Sequence, residues 1–340
     1  MIIPTEPIGS IPRPLALIEA INSRPSDARP DLDALYDAAI RDTITQFEAT
    51  GSPVITDGEQ RKYHNFWTYS VEGLPNTAPD GFRIPFSAGH VRRMPRLTAG
   101  PFRYQRYADR YLSQASTYTS LPIKQAVISP SALSLLYPEA GIAGYTRERF
   151  IDDLLREHVT EVRRCLELGA YKVQIDFTEG RFAVKVDPSG NLLSSFIDLN
   201  NLALSRFSTA ERQQLGVHTC PGSDLDSTHS ADVDYALLLP SLFQLNVDNF
   251  YVALAGEPDR VRVLKIIREH SSPIIAYSSV SSRRSDRRLR PPSRCATRCW
   301  KPRATFHPGS WALPMIAASP HSATILRPHA KPRLPRYARV

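Results

Sequence analysis

Short apolar runs alternate along this chain with longer amphipathic stretches, and that alternation limits the folds open to it. Strand-like runs lie at residues 2–8, 54–56, 123–128, 172–175, 215–219, 250–254 and 273–276. Apolar residues recur at helical spacing over 31–50 and over 146–168. The second of these opens on Thr146 as a cap and closes at Gly169. A further helix is expected over 231–245, after a Ser/Asp-rich start. Strands alternating with helices predict βα units around a parallel sheet. Seven strand candidates favour an α/β fold of the TIM-type (β/α)8 barrel over a doubly wound sheet, and no GxGxxG follows a strand. Residues 71–122 break the rhythm. They are rich in Pro, Arg and aromatic residues and read as a long insertion, of hairpin type, over the active-site face of the barrel.

Charge divides the chain in two. The formal net charge of +8 invites a nucleic-acid or membrane reading. Residues 281–340, however, hold fourteen Lys/Arg and a single acid, Asp286, for a net +13. The first 280 residues therefore carry −5, the whole-chain value less that of the tail. The domain reading is a barrel over 1–280 and a basic, Pro/Arg-rich tail over 281–340 with nine Pro, one Gly and no sustained period. A length of 340 residues is ample for a core without disulfides, and four cysteines (Cys165, Cys220, Cys295, Cys299) are too few for a disulfide scaffold. No run approaches eighteen apolar residues and the N-terminus lacks a secretory pattern, so a cytoplasmic protein without a membrane partner is expected.

Polar groups gather where the predicted strands end, which is where a barrel places its active site. Gly9 and Ser10 would offer backbone N–H groups and a hydroxyl to a carboxylate, or form an ordinary turn before Pro12. Asp57, Glu59 and Arg61 crowd the end of the second run. Asp176 ends an apolar strand and needs a partner if buried, either a ligand ammonium or Arg181. His218 and Cys220, at i and i+2 of a strand end, project to one face and suit zinc. In isolation they read first as a core His and an inert buried Cys, ahead of a metal site. Asp224, Asp226 and His229 follow on the next loop, and Cys165 lies mid-helix on an apolar face as a core residue.

Taken in order, IGSIPRP (8–14), TDGEQRKY (56–63), VQIDFTEGR (173–181), GVHTCPGSD (216–224) and NFYVALAGEPDR (249–260) resemble the catalytic barrel of cobalamin-independent methionine synthases, in particular the single-barrel members. The resemblance implies a methyltransferase that moves a methyl group from a methyltetrahydrofolate-type donor to a thiol such as homocysteine, with Zn2+ as cofactor. It implies that Gly9, Ser10, Glu59 and Asp176 hold the amino-acid thiol, and that His218 and Cys220 ligate zinc. The family's glutamate ligand falls on a strand that here reads Phe-Tyr-Val-Ala-Leu and lacks an acid; Glu257, three residues further on, is the candidate in its place. Two rival readings are a uroporphyrinogen-decarboxylase-like barrel, and a degenerate barrel whose basic tail binds nucleic acid. Oligomeric state is not legible.

The family's last ligand, a cysteine in a segment resembling LGTADDCGFSPF, is missing from the tail as written. Shifting the reading frame restores it. The codons of Trp311–Ala312, Met315–Ile316 and Trp300–Lys301 force glycine, aspartate and glutamate in the shifted frame, and the junctions over 309–321 permit QLGTADDCGFSP. A frameshift near 275–279 is therefore expected, with a barrel left incomplete at its C-terminal end and the tail arginines by-products of translation out of frame.

Overall fold

The computed structural model describes residues 6–23, 30–62, 67–85, 91–220, 233–254, 257–270, 276–279 and 323–325. Its centre is a parallel sheet of β1 (Lys124–Ile128), β2 (Lys172–Asp176), β3 (Leu215–Thr219), β4 (Asn249–Val252) and β5 (Ala276–Ser279), paired in chain order. Ile55 adds a parallel bridge to Ile123 on the outer side of β1. At the other edge β6 (Ala323–Ile325) pairs antiparallel with β5. Among the described residues the sheet runs from one edge to the other and does not close on itself.

Helices return the chain between strands: Pro130–Ser134 and Arg147–Glu167 after β1, Glu179–Val186 and Asn191–Leu204 after β2, Tyr235–Leu242 after β3, and Arg260–His270 after β4. Their cause is partly local. Thr146 accepts a hydrogen bond from the Arg149 N–H, Glu148 sits in the first turn and Arg164 in the last, and the chain turns away at Gly169, whose N–H reaches the Leu166 carbonyl. It is also tertiary. The 191–204 helix is rich in Asn and Ser, and is held by burying Leu193, Phe196, Ile197 and Leu204. Each such side chain contributes about 1.5–3 kcal/mol when fully buried.

The strands alternate. In β2, Val173 and Ile175 join the apolar core, while Lys172, Gln174 and Asp176 occupy the opposite face. That polar face is continuous across the register: Asp176 stands opposite His218 and His218 opposite Tyr251, while Gln174 stands opposite Gly216 and Gly216 opposite Asn249. Lys172 donates to Asn249 Oδ1 at 2.6 Å, and the Lys124 ammonium lies 4.1 Å from the Tyr251 ring centroid.

The stretch expected to break the rhythm does so in an ordered way. Arg83–Pro85 pairs antiparallel with Val91–Arg93, and Thr77–Ala78 with Arg96–Leu97. A Phe82–Phe182 edge contact of 5.5 Å sets this ribbon against the 179–186 helix. Three carboxylates on one face of the 147–167 helix, spaced four residues apart, fasten the following loop. Asp153 accepts from the Phe102 N–H at 3.2 Å, Glu157 from Tyr104 at 3.1 Å, and Glu161 from Ala108 at 2.9 Å.

Glu161 also accepts from the Tyr69 hydroxyl at 2.7 Å, but its other oxygen is buried with no hydrogen-bond partner. Burial pushes its carboxyl up to about 7, against the pull of the Tyr69 and Ala108 hydrogen bonds and the Lys62 charge. The native state therefore binds more protons than the unfolded chain between the ordinary carboxylate range and about 7, and stability falls as pH rises through that window. Glu161→Gln is expected to flatten that fall, by up to about 3 kcal/mol between pH 5 and pH 8. Urea unfolding of both proteins at the two pH values measures it; equal pH dependence would refute the assignment.

Several boundaries differ from the sequence reading. Residues 6–8 are not a strand, and residues 2–5 lie outside the described residues. The last parallel strand is described over Ala276–Ser279, and residues 273–275 lie outside the described residues. The helix expected over 231–245 is confined to Tyr235–Leu242, because Asp234 caps it through the Ala236 N–H. Within the tail the described strand β6 is antiparallel, whereas a (β/α)8 barrel requires a parallel strand there. The rest of the tail, including Cys295 and Cys299, lies outside the described residues.

Candidate active site at the strand ends

Asp176 and His218 are adjacent C-terminal residues of neighbouring strands. Register places them opposite each other, and His218 Nδ1 donates to Asp176 Oδ1 across 3.1 Å. Gln174 Nε2 donates to the same oxygen at 2.8 Å. Both partners are buried, at 5% and 4% exposure. Burial opposes ionisation of Asp176, but the hydrogen bond and charge of His218, with Lys62 and Gln174, outweigh it and hold the carboxyl below its usual range. For His218 burial opposes the charged imidazole, yet Cys220 and Asp176 together push it up to about 9. The salt-bridge alternative for Asp176 is thereby corrected: Arg181 reaches Glu257 and the Val233 carbonyl, not Asp176.

The first two motifs meet on the other side of this pair. Thr56 Oγ1 donates to the Gly9 carbonyl at 3.1 Å, and the Ile11 N–H to the Gly58 carbonyl at 3.1 Å. Arg13, from the first motif, clamps the second. Its Nε donates to the Gln60 carbonyl at 2.8 Å and its Nη2 to those of Glu59 and Lys62. Gly9 has φ +150°, and a Cβ there would stand 2.8 Å from Glu59 Oε1. The positive φ is what calls for glycine here, since the Glu59 carboxylate is the movable end of a flexible side chain. Glu59 itself adopts φ +56°, an unfavourable conformation for a residue with a side chain, of the kind found at functional sites. Ser10 follows, half-buried.

Lys62 is the group that sequence reasoning missed. It is 1% exposed, donates to the Ala126 carbonyl of β1 at 2.8 Å, and lies 3.5 Å from Glu59 Oε2. Burial would discharge it, but Glu59, Asp176 and Asp57 hold its pKa above the ordinary value. One buried ammonium is thus shared by the carboxylates of two motifs. Its signal was its place, three residues after Glu59 in a segment too rich in charge for an ordinary turn.

Metal-binding capacity is partial. Among the described residues His218 Nε2 is buried without a hydrogen-bond partner while Nδ1 is fixed by a carboxylate, the arrangement of a ligating imidazole with its supporting acid. Cys220 is a half-buried thiol on the same strand end. Glu257 lies 3.5 Å from Arg181 Nη2. Among the described residues no group of three His, Cys, Asp or Glu side chains is arranged to hold a metal ion. Asp224, Asp226 and His229 lie outside the described residues. Cys165 is fully buried, and burial raises its thiol pKa, as suits a core residue. No helix among the described residues is long and apolar enough to cross a membrane.

The sheet and its strand-end cluster define a parallel βα enzyme fold whose polar site lies beyond the carboxyl ends of the strands. No family model matches the sequence. A methionine synthase of Sulfurisphaera tokodaii is 23% identical over 259 residues, which is 74% of this chain and 68% of that protein. A B12-independent methionine synthase from Shewanella sp. W3-18-1, solved in complex with selenomethionine, superposes with a TM-score of 0.57 at 18% identity, covering 79% of this chain and 78% of that one. A Listeria monocytogenes protein assigned as a vitamin-B12-independent methionine synthase gives 0.54 at 19% identity, over 79% and 87%. Sequence and fold agree in their direction: the chain resembles the cobalamin-independent methionine synthases, and the likeness is to methyltransferases of that kind.

Proposed function

We propose that the protein transfers a methyl group from a methyltetrahydrofolate-type donor to a thiol such as homocysteine, giving methionine, with Zn2+ as cofactor. The observation that carries this reading is the buried Asp176–His218 pair beside Cys220, with Glu59 and Gly9 in contact range of each other. Asp176 and Glu59 supply negative charge for the ammonium of the thiol, and the buried Lys62 ammonium, 3.5 Å from Glu59, balances that charge between turnovers. Gly9 and Ser10 offer backbone and hydroxyl donors to its carboxylate. His218 and Cys220 would hold the metal, together with ligands outside the described residues. Glu257 remains the candidate for a third ligand, and it would have to leave Arg181 to serve. Bound zinc lowers the pKa of a coordinated thiol, so that a thiolate is present at neutral pH. Alignment of donor and acceptor at the strand ends is the protein's own contribution to rate.

The test is a methionine-forming assay with homocysteine and methyltetrahydrofolate, with zinc content measured in parallel. The chain with its C-terminal segment restored to the shifted frame is expected to form methionine and carry zinc, and His218→Ala in that chain to lose both. Methionine formation unaffected by His218→Ala or by a chelator would overturn the zinc-dependent reading. We likewise propose that residues 281–340 are translated out of frame. The nucleotide sequence across codons 274–279 decides this, and an intact gene with the same base count would overturn it.

A further inference from the structure

Arg181 lies on the strand-end side of β2, in the first turn of the 179–186 helix, and is 1% exposed. A guanidinium carries five N–H donors in a rigid plane and does not discharge in proteins. Here Nη2 donates to the Val233 carbonyl at 2.6 Å and reaches Glu257 Oε1 at 3.5 Å. Among the described residues Nε and Nη1 are buried with no hydrogen-bond partner. The guanidinium lies 4.3 Å from the Tyr235 ring centroid, and the Tyr235 hydroxyl donates to the Ala253 carbonyl at 2.7 Å. A buried cation with one long carboxylate contact and two unspent nitrogens is costly unless something else completes it. Its surroundings suggest what. The Ala253 N–H in turn donates to the carbonyl of Thr219, one residue before Cys220, so the cation lies close to the strand end that carries the candidate ligand Cys220.

We propose that Arg181 is a binding residue for a carboxylate of a small-molecule ligand, and that Glu257 occupies part of that position when the ligand is absent. The choice of probes rests on the proposed reaction; the carboxylate preference does not. Two sources share this chemistry: the α-carboxylate of the amino-acid thiol and the glutamate tail of the methyl donor. Titration calorimetry on the full chain separates them. L-Homocysteine is compared with 3-aminopropane-1-thiol, its decarboxylated analogue, and methyltetrahydrofolate with a methyltetrahydropterin lacking the glutamate.

The wild type is expected to favour the carboxylate-bearing member of one pair by at least about 10-fold. Arg181→Gln is expected to lower that preference several-fold, leaving in the homocysteine pair only the part owed to Gly9 and Ser10, with the affinity for the member without a carboxylate unchanged, which also shows that the variant is folded. Glu257→Gln, which removes the competing carboxylate, is expected to tighten binding of the same member several-fold. The pair that responds names the source. Equal binding within both pairs by the wild type, or a preference undiminished in Arg181→Gln, would overturn the proposal. Carboxylate preference without any methyl transfer would instead refute the proposed reaction and leave this site standing.

Discussion

Asp176→Asn is expected to lower kcat/KM for methyl transfer by about 100- to 1000-fold while leaving a folded protein. The residue ends β2 at 5% exposure and serves two sides at once. Toward the protein it accepts from His218 Nδ1 at 3.1 Å and from Gln174 at 2.8 Å. Toward the ligand it is one of two carboxylates, with Glu59, proposed to receive the ammonium. Asparagine preserves shape, so packing survives, but it removes the charge. Breaking one partner of a buried charged hydrogen bond costs about 2–5 kcal/mol, and each 1.36 kcal/mol in the barrier is about tenfold in rate. The stability effect is smaller and pH-dependent. The native carboxyl is held below its usual range, so it contributes stability above the unfolded-state pKa and loses it as pH falls through the folded one. The deficit of the variant relative to wild type should therefore narrow in acid. Steady-state kinetics and thermal unfolding at two pH values check both statements, and a rate within about threefold of wild type would remove Asp176 from the site.

The strand ends were legible because an apolar strand that finishes on an acid or an imidazole is conspicuous. VQID and GVHTC announce themselves, and β2 and β3 lie where those strings put them. What a string does not contain is register. That Asp176 faces His218, rather than Arg181 five residues on, follows from parallel pairing between residues 42 apart. The same limit hid Lys62 and Arg13. A lysine or arginine in a loop reads as a solvated charge, and only the tertiary approach of residues 9–13 to 56–62 turns Arg13 into a clamp and Lys62 into a buried counter-ion. The 191–204 helix escaped for a different reason. Its Asn- and Ser-rich sequence has little intrinsic preference for helix, and burial of its apolar side supplies what local propensity lacks. The three-carboxylate stripe of the 147–167 helix would pass for a solvent face by spacing alone. Each of those acids instead accepts a backbone N–H from a segment about fifty residues away.

Gly216→Ala is expected to lower the melting temperature by several degrees, and Gly216→Val to prevent soluble folding. Gly216 stands in β3, between Gln174 of β2 and Asn249 of β4 on the polar face. A Cβ there would lie 2.5 Å from the Tyr251 ring and 3.0 Å from the Asn249 Cβ. Neither neighbour can yield cheaply. Tyr251 is 1% exposed with the Lys124 ammonium against its ring, and Asn249 is tied by hydrogen bonds to the carbonyls of Gln213 and Leu215 and to Lys172. Overpacking of this kind costs about 1–3 kcal/mol for one added group and more for a branched one. That corresponds to about 2–4 °C per kcal/mol in domains of 150–250 residues. The cause is separable from a general intolerance of substitution in strands, because a smaller neighbour should relieve it. The double variant Gly216→Ala with Tyr251→Leu is expected to lose less stability than the sum of the two single changes, a favourable coupling of about 1 kcal/mol or more. Strict additivity, or a melting temperature for Gly216→Ala about equal to that of wild type, would show that the ring does not stand where the glycine must make room for it.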